Sequence, residues 1–146
     1  KRNVEIFKSF PNVDYVVGAC TVQVGNIMQL PEIIPYFLNE MGIVFYSHRV
    51  NYPNVLSAQC IPQKLKMRVV RKLEMLKAEV EYYPIMKFHK DLLPVTLRQI
   101  NDNINFLESN DLSNLWTQTV AFNKKLDATR NQGPFEKVIP EYAQYI

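Results

Sequence analysis

Apolar residues run almost unbroken from Val13 to Val22 and again from Ile43 to Tyr46, while between the two runs they recur every three or four positions. The first run, Val13-Asp14-Tyr15-Val16-Val17-Gly18-Ala19-Cys20-Thr21-Val22, is rich in β-branched and aromatic residues and predicts a strand covered on both faces. The spaced positions Leu30, Ile33, Ile34, Phe37, Leu38 and Met41 form the buried stripe of a helix that Gly42 stops. A second strand, Ile43 to Ser47, follows at once. Strand, helix and strand with such short joints predict a β-α-β unit with parallel strands and a right-handed crossover. In sheets and barrels of that kind, ligands gather at the carboxyl ends of the strands. Those ends are Thr21 to Asn26 after the first strand and His48 to Asn51 after the second.

Ahead of this unit, Val4 and Phe7 stand at helical spacing and Pro11-Asn12 closes the segment. The segment reads as a crossover helix whose own strand lies upstream of Lys1. Beyond the unit, residues 50–62 predict a loop with a short extended piece over Val55 to Ile61. Pro62 opens a long helix with Leu65, Val69, Leu73, Leu76 and Val80 as its stripe. Lys64, Lys66, Arg68, Arg71, Lys72 and Lys77 fall on the rest of its surface, as a solvated face or as a docking surface for an acidic partner. Tyr82-Tyr83-Pro84 ends that helix, and the connector 85–92 carries His89 at the surface. Pro94 opens a further helix through Leu97, Ile100, Ile104 and Leu107. Asp111 or Ser113 caps the next, in which Trp116 reads as a packing residue. After the break Asn131-Gln132-Gly133-Pro134, short helical turns complete the chain. The organisation is therefore α/β: a β-α-β half-barrel unit over 1–62 and a helical C-terminal region over 63–146, in one compact domain.

A length of 146 residues with 47% apolar content fits one globular domain. The net charge of +3 is small and spread along the helices, so no nucleic-acid footprint stands out. Neither a membrane span nor a signal peptide can be read. Cys20 and Cys60 make neither metal-ligand spacing nor a disulfide framework, which points to a reducing, cytoplasmic setting. The four glycines lie too far apart to cradle a phosphate, and no nucleophile motif occurs, so no catalytic residue is assigned. His48 and Arg49 can address a carboxylate or carbonyl from the second strand end, or stand as solvated loop residues. Thr21, Gln23 and Asn26 are placed in the same way at the first strand end, where Thr and Asn also serve as helix caps. Cys20 within an apolar strand reads as an inert filler.

The stretches Pro11 to Gly18, Thr21 to Asn26 and Leu30-Pro31-Glu32-Ile33 with the helix to Gly42, together with the C-terminal segments Phe122 to Arg130 and Phe135 to Glu141, carry a resemblance. The chain resembles the radical S-adenosylmethionine enzymes, in particular those with a shortened "twitch" region at the end of a partial barrel. It is similar to their later β-α units and C-terminal end. The family's CxxxCxxC loop, which holds an iron-sulfur cluster, is absent from this sequence. The resemblance implies a C-terminal, cavity-wall portion of such an enzyme, inactive by itself and holding no cofactor of its own. S-adenosylmethionine and an iron-sulfur cluster are implied for the longer protein, with the cluster ligands upstream of Lys1. By position, Thr21, Gln23 and Asn26 would then face S-adenosylmethionine, and His48, Arg49 and Asn51 the substrate. The alternative is a non-catalytic binding or assembly module with the same half-barrel. A pair of parallel strands leaves two edges of unpaired backbone groups, so a partner is expected: the upstream barrel half, or a second copy in a dimer.

Overall fold

In a computed structural model, residues 1–131 and 133–146 are described; Gln132, within the expected break at 131–134, lies outside the described residues. The two apolar runs form β1 (Val17–Val22) and β2 (Val44–Arg49), paired in parallel with Val17 opposite Val44 and Val22 opposite Arg49. Around this two-stranded sheet the chain is mostly helical: α1 (Arg2–Lys8), α2 (Leu30–Pro35), α3 (Gln63–Glu79), α4 (Pro84–Phe88), α5 (Leu92–Ser109), α6 (Trp116–Arg130) and α7 (Phe135–Val138). The class is therefore α/β.

β1 starts four residues later than the apolar run suggests, and its partner explains why. The Val44 N–H donates to the Val16 carbonyl at 2.9 Å, but the preceding Ile43 N–H turns back to Phe37 O in the crossover. Gly42, at φ +57°, makes that turn in a conformation glycine adopts at no steric cost. Residues 13–15 thus have no strand to pair with. The expectation of cover on both faces also needs correcting. Cys20, Val22, Phe45 and Ser47 face the helices, whereas Val17, Ala19, Thr21, Tyr46 and His48 lie exposed on the opposite face.

The crossover is not one helix but a 3-10 turn at Ile27–Gln29, α2, and a π-helical turn at Tyr36–Glu40. Pro35 has no N–H to donate and its ring crowds the turn before it, so the helix widens just beyond it. The apolar stripe survives this change of pitch, with Leu30, Ile34 and Leu38 all buried. Gly18 permits the close seating of the crossover on the sheet. A Cβ there would stand 3.0 Å from Ile43 Cδ1 and 3.2 Å from the Phe37 ring.

The outer edge of β2 is covered by α5. The Ser47 backbone N–H and hydroxyl both donate to Gln99 Oε1, at 3.0 and 2.8 Å, and Asn103 Nδ2 donates to Ser47 Oγ at 2.8 Å. The segment 55–61, expected to be partly extended, instead makes two 3-10 turns, Asn54–Leu56 and Ala58–Cys60. The α3 stripe packs as its spacing predicts, with Leu65, Val69, Leu73 and Leu76 buried in a core shared with Ile100, Ile104 and Leu107 of α5. Trp116 packs with Phe135 and Tyr142, the ring centroids of Trp116 and Tyr142 lying 5.0 Å apart, and its Nε1 donates to Tyr145 O at 2.7 Å. Among the described residues no helix is long and apolar enough to cross a membrane.

Candidate functional site at the end of β1

The loop leaving β1 is held from three sides. The Asn26 amide takes the place of a neighbouring strand: its Nδ2 donates to Thr21 O at 2.9 Å, and its Oδ1 accepts from the Gln23 N–H at 3.0 Å. Those two backbone groups point away from β2, so a side chain finishes the ladder where no third strand does. Val24 is fixed from farther along the chain. Its N–H donates to Leu56 O at 2.9 Å, and its carbonyl accepts from the buried Tyr142 hydroxyl at 2.7 Å. Burial pushes the Tyr142 phenol well above its ordinary range, so the hydroxyl keeps its proton and its role as donor.

Against this fixed loop lies a cavity of about 570 Å³, closed by the second half of α6 and by residues 133–139. Its polar lining consists of Gln23 from the loop, Asn123, Asp127 and Arg130 from α6, and Lys137 from α7. Asn123 is buried and gives its Nδ2 to Thr119 O at 2.8 Å. Asp127 accepts the Phe135 N–H at 2.9 Å, which ties α7 to α6. Arg130 and Lys137 are exposed at the cavity and form no ion pair among the described residues.

The residues named from the sequence separate into different places. Thr21 and His48 are directly opposite each other in the strand register, on the bare face of the sheet, where the Tyr46 ring meets His48 edge-on at 4.9 Å. Gln23 alone of the six lines the large cavity. Asn26 is committed to the backbone staple. Arg49 lies on the opposite face from His48, its Nη1 3.8 Å from Asp102 Oδ2 of α5, and Asn51 is exposed in the loop after β2. Sequence reasoning does not single out Asn123, Arg130 or Lys137, since apolar spacing points only to the packing side of α6 and Lys137 lies in a short terminal turn. A signal was available in the polar line Thr119, Asn123, Asp127 and Arg130, at four- and three-residue spacing along one side of the helix.

Neither thiol is fully open to solvent. Burial raises Cys20, and it raises Cys60 against the opposing effects of the Thr119 hydroxyl and the Lys66 charge. Cys60 Sγ lies 2.9 Å from Asn54 O. Among the described residues there is no group of three or more His, Cys, Asp or Glu side chains that could hold a metal ion. No family model, curated protein or solved structure matches this chain.

Proposed function

We propose that this chain is the C-terminal, cavity-wall portion of a radical S-adenosylmethionine enzyme of the twitch type, without chemistry of its own. One observation carries the reading: towards the carboxyl ends of its strands the sheet is covered on one side only. In a β/α barrel the helices ring the outside and the inward faces of the strands line the interior. Here the helices cover the face of Phe45 and Ser47. On the opposite face Val44 is buried, but Ala19, Tyr46, Thr21 and His48 beyond it are exposed, with Thr21 and His48 side by side at the carboxyl ends of parallel strands. Such a sheet has the form of a wall segment of a partial barrel. In this reading Thr21 faces S-adenosylmethionine, Asn26 holds the loop after it in place, and His48 and Asn51 face the substrate, while Gln23, expected beside Thr21, lines the separate cavity. Arg49 acts from behind by anchoring β2 to α5.

The iron-sulfur cluster belongs to the upstream part of the longer protein, since the half-buried Cys20 and the buried Cys60 do not suit it. A reducing, cytoplasmic compartment is part of the same proposal, as is the absence of nucleic-acid and membrane partners. The coding sequence upstream of Lys1 provides the test. A CxxxCxxC motif within the preceding barrel-length stretch is the expected result; a start codon directly ahead of Lys1 would overturn the proposal. The second reading, a non-catalytic binding module, is favoured by one feature, a cavity whose lining is built within this chain.

A further inference from the structure

We propose that the cavity at the end of β1 binds a small ligand with an apolar body and a terminal anionic group, a carboxylate or a phosphate, held by Arg130 and Lys137. This site stands on the cavity's own geometry and does not depend on the barrel reading. Its volume of about 570 Å³ lies within the range of small-molecule pockets. Val24, Leu56, Leu126, Phe135 and Ile139 supply apolar wall, which calls for an apolar body in the ligand. Asp127 is the one acidic side chain in the lining among the described residues, and its Oδ2 is already engaged by the Phe135 N–H. The two cations, by contrast, have no carboxylate partner among the described residues, so the uncommitted charge of the cavity is positive. Arg130 adds a planar fork that suits the paired oxygens of a carboxylate or phosphate.

Asn123 is the buried polar member of the lining. It is only 8% exposed, and its Nδ2 is committed to Thr119 O. Its side-chain amide stands beside the apolar wall, where its signal reports a bound molecule. The wall that meets the ligand is also set in advance. Val24 is fixed by Leu56 and Tyr142, and α7 is tied by Asp127, so binding spends little free energy on ordering the loop.

The test uses the whole chain labelled with nitrogen-15 and titrated with phenyl phosphate, 3-phenylpropionate and, as the neutral control, 3-phenylpropanol. With the anionic probes, amide shifts should saturate and concentrate on Gln23, Gly25, Gly133 and the Asn123 side chain. R130Q/K137Q should weaken that binding about tenfold or more, as expected for the loss of charge-assisted contacts. Both substituted side chains are exposed, and the dispersion of the spectrum reports that the variant is folded. Preference for phenyl phosphate assigns a phosphorylated ligand, and preference for 3-phenylpropionate a carboxylate. Equal binding of the neutral alcohol, unchanged binding by R130Q/K137Q, shifts confined to the bare sheet face, or no saturable shift each overturn the proposal.

Discussion

Lys66 sits on the part of α3 that apolar spacing assigns to solvent, yet it is only 2% exposed and its Nζ lies 2.7 Å from Asp111 Oδ1. An ammonium removed from water must keep a partner. Asp111 provides it from the surface, helped by the Ser113 N–H at 3.0 Å. The hydrogen bond from Lys66, followed by that from Ser113, lowers the Asp111 pKa from 3.8 to about 2. A carboxyl lowered in the folded state stabilises it above the unfolded pKa and loses that contribution as pH falls through the folded value. The window here runs from 3.8 down to about 2. We therefore predict that Asp111→Asn lowers the melting temperature at neutral pH, and that the gap from the parent chain narrows as pH falls through that window. Thermal melts followed by circular dichroism check this; a gap independent of pH would show that the pair contributes nothing through its charge.

Elements were legible in the sequence to the extent that a stripe of apolar residues defines them. Leu65, Val69, Leu73 and Leu76 specify α3, and Leu30, Ile34 and Leu38 keep their buried face even though α2 gives way to a π-helical turn after Pro35. What apolar periodicity misses is a polar residue with an inward task. Gln99 and Asn103 stand one turn apart on α5, outside its apolar stripe, yet both are buried, because the outer edge of β2 presents the Ser47 N–H to that helix. Gln99→Leu would leave the Ser47 N–H and hydroxyl without their acceptor in a dry interface. The expected loss is about 1–3 kcal/mol, the usual cost of a buried group left unsatisfied. Urea unfolding measures it, and a variant as stable as the parent chain would mean that water or another group replaces the amide.

At the scale of the whole molecule, the two edges of the sheet are treated differently. On the edge of β2, which α5 covers, Gln99 takes up the Ser47 N–H, and Asn26 closes the last step of β1, but the outward backbone groups of Val17 and Ala19 meet no protein partner among the described residues. Next to them lie the exposed side chains of Val17 and Tyr46. An open edge beside exposed apolar groups favours pairing with another strand, and a second copy satisfies both partners by two-fold symmetry. We predict that the isolated chain self-associates to a dimer through β1. Sedimentation velocity over the micromolar range is the measurement, and a monomer throughout that range would refute it.

The sequence by itself determined the parallel pair, the crossover between its strands, the long helices and the end of β1 at Val22, because apolar spacing and chain stops such as Gly42 act within a few residues of themselves, whereas β2 runs past the expected end at Ser47 to include His48 and Arg49. It placed Thr21 and His48 at neighbouring strand ends for the same reason. Only the tertiary structure decided that one face of the sheet stays bare, that Lys66 goes inside, and that Arg49 turns to Asp102 instead of joining His48. Only the tertiary structure, too, set Asn123, Arg130 and Lys137 against Gln23 and let Tyr142 fix Val24 across a separation of 118 residues. Contacts of that kind depend on where whole elements come to rest, and nothing in the local pattern of either partner encodes the other.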